Sequence, residues 1–373
     1  MRAKDIISVL VQEQLVFLTG VPCSYLKNFL EFINTQKNPL QHTRATSEGE
    51  AIGIATGYYL ITNKVPIIYL QNSGFGNTIN PLTSLMDKEV YGVPAILFLS
   101  WRGEPGTKDE PQHKKIGRIM LDLLKDLEVP YDFASNNIQT TTAAIKKLKA
   151  IAIREQKPVA LIFRSRLIDK PDCIRKPIIS NSSLMKREQI LEILLPKIGK
   201  FPIVTTTGKT SREVFELREK FHQSHKFDFL TVGSMGCASG IGFGIALQTR
   251  KKVFVIDGDG AVLMKMGTLG TIGYYQPKNL VHVIIDNSAY ESTGGQPTVS
   301  TKLQWKKLLQ GVGYAEIIII KTKNQLEKLQ FENRRYPLGI IIYSQPGSRS
   351  DLGRPTLSPI DNKNEFMNFL AKQ

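Results

Sequence analysis

Short apolar runs alternate with longer amphipathic ones along most of this chain. In the first half, residues 15–18, 67–70, 95–99 and 159–163 are apolar runs of strand length, while 24–32, 48–61, 113–127 and 141–153 carry apolar residues at helical spacing. The alternation pauses at 167–185, where prolines, serines and mixed charge show no period and predict a linker. It resumes with a helix at 186–195, strands at 202–205, 229–232, 253–256, 281–285, 316–320 and 338–342, and a final helix near 363–371. Strands whose whole length is apolar are buried on both faces, and strands alternating with helices form parallel sheets. The expected fold class is α/β: two tandem doubly wound parallel-sheet domains, at 1–166 and 186–373, with no domain between them.

Length and charge narrow the picture little. The chain has 373 residues, enough for two cores, with 42% apolar and 22% charged residues, as in ordinary globular proteins. The formal net charge of +16 raises nucleic acid as a partner. The Lys and Arg residues are dispersed over amphipathic segments, however, with no zinc-finger, helix-turn-helix or aromatic-basic motif, so none is expected. No apolar stretch nears the ~20 residues that span a bilayer. The segment after Met1 is interrupted by Gln12, Glu13 and Gln14 and predicts no signal peptide. Cys23, Cys173 and Cys237 lie far apart and in no metal-ligand spacing. The expected compartment is the cytoplasm.

The chemistry concentrates at strand ends. Gly258-Asp259-Gly260 closes the apolar strand at 253–256, and Asn287, twenty-eight residues after the aspartate, closes the next one. Both therefore fall at the carboxyl ends of parallel strands, where open α/β sheets bind ligands. A helix opening after Gly260 turns free N–H groups toward the same place, which suits a phosphate group. Two hard oxygen ligands beside a phosphate suit Mg²⁺. An Asp-Gly turn and a strand-end Asn can also be purely structural. Thr207-Gly208-Lys209-Thr210 is not a P-loop, because position 203 is Ile where that pattern needs Gly, although Thr207 and Gly208 fall at the edge of the same region.

Longer motifs decide between these readings. The Gly-Asp-Gly and Asn pair resembles the thiamin-diphosphate signature, and Gly233-Ser234-Met235 resembles the segment that cradles this cofactor in decarboxylases. Arg44-Ala45-Thr46-Ser47-Glu48-Gly49-Glu50, with Gly57-Tyr58 nine and ten residues after Glu48, is similar to the segment holding the activating glutamate; Glu50 lacks that register. Gln71-Asn72-Ser73-Gly74-Phe75-Gly76-Asn77, the run from Ser100-Trp101-Arg102 to His113, Thr207 to Glu213, and Ser292-Thr293-Gly294-Gly295-Gln296 resemble the phosphonopyruvate decarboxylase family of thiamin-diphosphate enzymes. Sulfopyruvate decarboxylases are its siblings. The likeness runs from about Thr19 to Ser300.

This resemblance implies a carboxy-lyase acting on a 2-oxo acid that bears a phosphonate, or alternatively a sulfonate. The product would be phosphonoacetaldehyde and CO₂, in phosphonate biosynthesis. It implies an N-terminal pyrimidine-binding and a C-terminal diphosphate-binding domain, with thiamin diphosphate and Mg²⁺ as cofactors. Glu48 is then the buried acid that shares a proton with the aminopyrimidine ring, a role that needs a raised pKa. Asp259, Gly260, Ala261 and Asn287 hold the diphosphate end, with Asp259, Asn287 and the Ala289 carbonyl on the metal. The Gly233 carbonyl and Ser234 line the cofactor, and Met235 props it. Arg102, Lys108 and His113 are the candidates for the substrate anion, since Arg makes bidentate contacts and Lys supplies a point charge. A homo-oligomer, at least a dimer with shared sites, is implied as well. Ser288 stands where Gly is expected after the Asn, Tyr290-Glu291 replace a more usual His-Asp or Tyr-Gly pair, and Cys23 replaces Asp in a loop; no catalytic role falls to Cys23.

Overall fold

In a computed structural model of the chain, residues 1–170 and 183–372 are described. The chain divides into two compact units, Met1–Lys176 and Pro177–Gln373. Each is built on its own six-stranded parallel sheet.

In the first unit β1 (Phe17–Gly20), β2 (Gln41–Arg44), β3 (Ile67–Gln71), β4 (Ala95–Ser100), β5 (Tyr131–Phe133) and β6 (Pro158–Phe163) lie in the order β2-β1-β3-β4-β6-β5. The order reverses between β1 and β3. Successive residues of the inner strands serve opposite layers. Ile67, Tyr69, Ile96 and Phe98 pack with the helices Ala3–Gln12, Lys27–Thr35 and Ile138–Glu155. Ile68, Leu70, Leu97 and Leu99 pack with Glu48–Thr62 and Pro111–Asp126. Period-2 side chains between two helical layers explain why these strands are apolar throughout.

The second unit repeats the plan. Strands β7 (Ile203–Thr205), β8 (Asp228–Leu230), β9 (Val253–Gly258), β10 (Leu280–Asp286), β13 (Glu316–Ile320) and β14 (Leu338–Tyr343) lie in the order β13-β14-β10-β9-β7-β8. The reversal falls between β7 and β9. Between β10 and β13, a small antiparallel ribbon pairs β11 (Ala289–Tyr290) with β12 (Gln296–Pro297).

Three features depart from the periodicity. The edge strands β2 and β5 have no apolar run: β2 is Gln-His-Thr-Arg, and β5 is half-buried to exposed. The helical spacing from Ala261 to Ile272 does not make one helix, since the segment breaks into Asp259–Met264 and Gly267–Tyr275 with Lys265 outside helical geometry. Strands β9 and β10 also run one or two residues further than their apolar runs, to Gly258 and Asp286.

Residues 171–182, the middle of the expected linker at 167–185, lie outside the described residues. Of its flanks, Leu167 and Ile168 are tied to the first unit: the Met1 ammonium donates to the Leu167 carbonyl (3.1 Å) and Asn28 to that of Ile168 (2.8 Å). Met185 is buried in the second core.

Candidate functional site

In the first unit the glutamate lies at the reversal of strand order. Chain leaving β2 is capped by Ser47, whose hydroxyl accepts from the Glu50 amide (3.4 Å), and Glu48 is the first helical residue. Glu48 is buried, and its Oε2 accepts from Asn77 Nδ2 at 2.9 Å. The turn Asn72–Thr78, which follows β3, presses directly on it: a Cβ placed on Gly74 would fall 2.0 Å from Glu48 Oε1. Glu50 has a different fate. It is exposed and accepts from the Thr46 amide (2.7 Å) and hydroxyl (2.5 Å), so it serves the helix start. Gly57 is exposed, and Tyr58 stacks on Phe17 with centroids 4.2 Å apart.

The three candidates for the substrate anion are unlike one another. Arg102, just beyond β4, is clasped by Asp109 through Nε (2.7 Å) and Nη2, donates from Nη1 to Ser24 (3.0 Å), and lies 5.2 Å from the Tyr25 ring centre. Burial alone would raise the Asp109 carboxyl. The Arg102 guanidinium and the Gly103 and Glu110 amides outweigh burial and hold it well below the usual carboxylate range. Lys108 is exposed. His113 is buried in the first turn of Pro111–Asp126, with Nδ1 unpartnered, and burial followed by the Arg102 charge lowers its pKa. Cys23 is fully buried and its thiol is pushed up by that burial, which suits a neutral lining residue.

In the second unit, β9 and β10 pair in register, with Ile285 opposite Gly258, so Asp259 and the Asp286-Asn287 pair emerge side by side. All three are buried. Asp259 Oδ2 accepts from Thr298 at 2.5 Å. Burial, then the Asp286 charge, push its carboxyl up to about 7 against the opposing influence of Thr298, Ser300 and the Gly260 amide. Asn287 Oδ1 accepts from the Ala289 amide (3.0 Å), and Ser288 occupies the left-handed region at φ 55°. Among the described residues no cluster of three His, Cys, Asp or Glu side chains could hold a metal alone. A cation at Asp259 and Asn287 would need further oxygens from a ligand or water, the habit of Mg²⁺.

The glycine-rich loop after β8 packs on this place. Gly233 has φ 73° and donates from its amide to Thr207 (2.9 Å), and Ser234 is also left-handed at φ 42°. A Cβ on Gly236 would lie 2.9 Å from the Ala261 carbonyl oxygen. One on Gly260 would meet Tyr290 Cε1 at 2.6 Å and Met235 Cε at 3.3 Å. Gly260 is therefore the bare point where half-buried Met235 and buried Tyr290 converge. Glu291 is used elsewhere, paired with Arg187 and accepting from the Gly347 amide, while Arg187 also grips Glu213 with two 2.7 Å bonds.

Sequence reasoning gave no role to Asp286, Thr298, Ser300 or Trp305: Thr298 bonds Asp259, and Ser300 and Trp305 bond Asp286. Asp286 carried the signal of its place beside Asn287 at the strand end, and Thr298 and Ser300 that of a Thr-Val-Ser step after the ribbon. A hollow of about 590 Å³ in the first unit, lined by Leu121, Lys125, Tyr131 and Lys157 among others, holds none of the residues above.

Comparison with known proteins bears on the whole chain. Residues 2–123 match the family model described as thiamine pyrophosphate enzyme, N-terminal TPP binding domain, and residues 206–328 match the C-terminal TPP binding domain. A phosphonopyruvate decarboxylase of Streptomyces viridochromogenes is 32% identical over 385 residues, covering 99% of this chain and 95% of that protein. One from Streptomyces hygroscopicus is 32% identical, covering 99% and 94%. A sulfopyruvate decarboxylase of Methanosarcina acetivorans is 26% identical, covering 80% and 79%.

Proposed function

This chain belongs to the thiamine pyrophosphate enzyme family, among relatives of the phosphonopyruvate decarboxylases, and from that premise we propose that it decarboxylates 3-phosphonopyruvate to phosphonoacetaldehyde and CO₂ with thiamin diphosphate and Mg²⁺. The observation that carries the reading is that each unit buries its own part of the machinery beside a reversal of strand order: Glu48 in one, Asp259 and Asn287 in the other.

The residues fit the cofactor. Gly260 lets Tyr290 and Met235 close on the backbone at the start of this helix because it carries no Cβ, and Asp259, Asn287 and the Ala289 carbonyl offer hard oxygens for Mg²⁺. Gly233 and Ser234 would line the group, with Gly260 and Ala261 at its diphosphate end. When bound, thiamin diphosphate supplies a sink for the electron pair released with CO₂. Glu48 holds a proton at Oε1 or Oε2 for exchange with the aminopyrimidine ring. Asn77 and the backbone at Gly74 set the direction in which that carboxyl points. Met235 and Tyr290 exclude water around Gly260. At the substrate end, Lys108 presents an exposed ammonium to the phosphonate, whereas Arg102, already engaged by Asp109, sets the local field beside His113. Phosphonoacetaldehyde would then feed phosphonate biosynthesis in the cytoplasm.

The test is turnover of 3-phosphonopyruvate, sulfopyruvate and pyruvate by the purified protein with both cofactors. Preference for phosphonopyruvate is expected, and no decarboxylation of any of the three would overturn the reading. Sulfopyruvate is the second reading, favoured by the M. acetivorans likeness; faster turnover of it would reverse the order.

A homo-oligomer with shared sites belongs to the same proposal. Glu48 and Asp259 lie on separate units and must reach opposite ends of one cofactor, which a twofold pairing of copies would achieve.

A further inference from the structure

Asp286 has no part in the proposed ligand set, yet it is the most heavily bonded carboxylate beside it. It ends β10, is buried, and its Oδ1 accepts from the Ser288 amide (2.9 Å), the Ser288 hydroxyl (3.1 Å) and the Ser300 hydroxyl (2.8 Å). Its Oδ2 accepts from Trp305 Nε1 at 2.7 Å. Four donors hold both oxygens, three on Oδ1 and one on Oδ2, so the orientation of this carboxylate is fixed by its neighbours and in turn fixes them.

Those neighbours are the cofactor end of the site. Ser288 is held in the left-handed region, which a side chain resists, by donating to Asp286 from both its amide and its hydroxyl. That turn aims the Asn287 side chain and the Ala289 carbonyl. From Asp286 a second line runs through Ser300, whose amide donates to the Thr298 hydroxyl (3.3 Å), to Thr298, which donates to Asp259. Thr298 also returns its amide to the Ser288 carbonyl (2.9 Å), closing the loop on itself. Trp305 is 1% exposed, anchored among Leu309, Tyr314 and Ile341, so its N–H is a fixed point. Among the described residues the donors to these two carboxylates, from Ser288, Ser300, Trp305 and Thr298, are all neutral, so directional hydrogen bonds set how they point.

Resting on the cofactor assignment above, we propose that Trp305 and Asp286 are positioning residues for the cation-and-diphosphate end of the site. Trp305 fixes Asp286, Asp286 fixes the turn at 287–289, and Ser300 with Thr298 carries the same constraint to Asp259.

The test uses the full-length protein titrated with thiamin diphosphate and Mg²⁺. Trp305→Phe keeps the ring and loses the N–H. Its half-saturating Mg²⁺ concentration should rise at least about tenfold, the worth of one hydrogen bond to a charged group, while kcat at saturating cofactors falls less than about threefold. In a Trp101→Phe background the remaining indole should change its emission when thiamin diphosphate and Mg²⁺ are added together. Wild-type Mg²⁺ dependence in Trp305→Phe, with unchanged emission, would overturn this inference and leave the cofactor assignment standing. Absence of thiamin diphosphate binding by the wild type would overturn both. Should Trp305→Phe fail to fold, Ser300→Ala carries the test: the same rise supports the proposal, and unchanged affinity overturns it.

Discussion

Gly74→Ala isolates the glutamate better than any change at the glutamate itself. Gly74 is not among the positive-φ positions, so alanine is compatible with its backbone. The new Cβ would fall 2.0 Å from Glu48 Oε1, 2.5 Å from Cδ and 2.9 Å from Cγ. Ordinary contact begins near 3.4 Å, so the carboxyl must retreat by about 1.4 Å (3.4 less 2.0). Because the obstacle is the end of a flexible side chain, the fold yields easily and the carboxyl does not stay in place. That retreat is enough to break the 2.9 Å bond from Asn77. The lost bond costs about 1–3 kcal/mol, and removing a glycine from the unfolded chain returns about 0.4–1 kcal/mol. The melting temperature should therefore fall by only a few degrees. A catalytic group misplaced by about 1 Å loses on the order of a hundredfold in rate, so kcat for phosphonopyruvate should drop by that much or more. Steady-state decarboxylation at saturating cofactors, with a thermal melt of the same sample, measures both. Gly76→Ala, with nothing within 4 Å of the added Cβ, should change neither. A Gly74→Ala enzyme with kcat within threefold of wild type would refute the placement of Glu48.

Asp259→Ala and Asn287→Ala should each abolish Mg²⁺-dependent thiamin diphosphate binding; calorimetric affinities equal to wild type would remove both from the metal. The pH dependence of the cofactor-free protein should also report Asp259. Its carboxyl is pushed up to about 7, from an ordinary 3.8, by burial and then by Asp286. The stability contributed by its protonated form is complete below about pH 3.8 and is lost as pH rises to about 7, on the order of a few kcal/mol. Between pH 5 and 8 the wild type should therefore lose melting temperature relative to Asp259→Asn, and parallel curves would contradict the burial argument. A mixture of inactive Glu48→Gln and Asp259→Ala chains should regain activity after subunit exchange, because a mixed dimer rebuilds one intact site. No recovery despite proven exchange would rule out shared sites.

The sequence by itself determined the fold class, the inner strands and the strand-end motifs. Burial on both faces of a parallel sheet gives β3, β4, β6, β9 and β14 apolar runs over most of their length, and β10 one interrupted by His282, a signal that the sequence carries directly. The edge strands β2 and β5 are half-buried to exposed and carry polar residues, so they had no such signal and emerged only from pairing with β1 and β6. The break at Lys265 was equally hidden, because Met266, Leu269 and Ile272 keep helical spacing across it. Glu48 and Glu50 are two residues apart and alike as residue types. Tertiary structure separates them, since only Glu48 lies beneath the turn Asn72–Thr78, while Glu50 faces the helix start. Arg102 reads in the sequence as a free cation, but Asp109 and Ser24 claim it once the loop closes. The links from Trp305 through Asp286 to Asp259 join residues up to 46 positions apart (305 less 259). Hydrogen-bond partners are chosen by distance and direction in space, and a linear pattern of residue types contains neither.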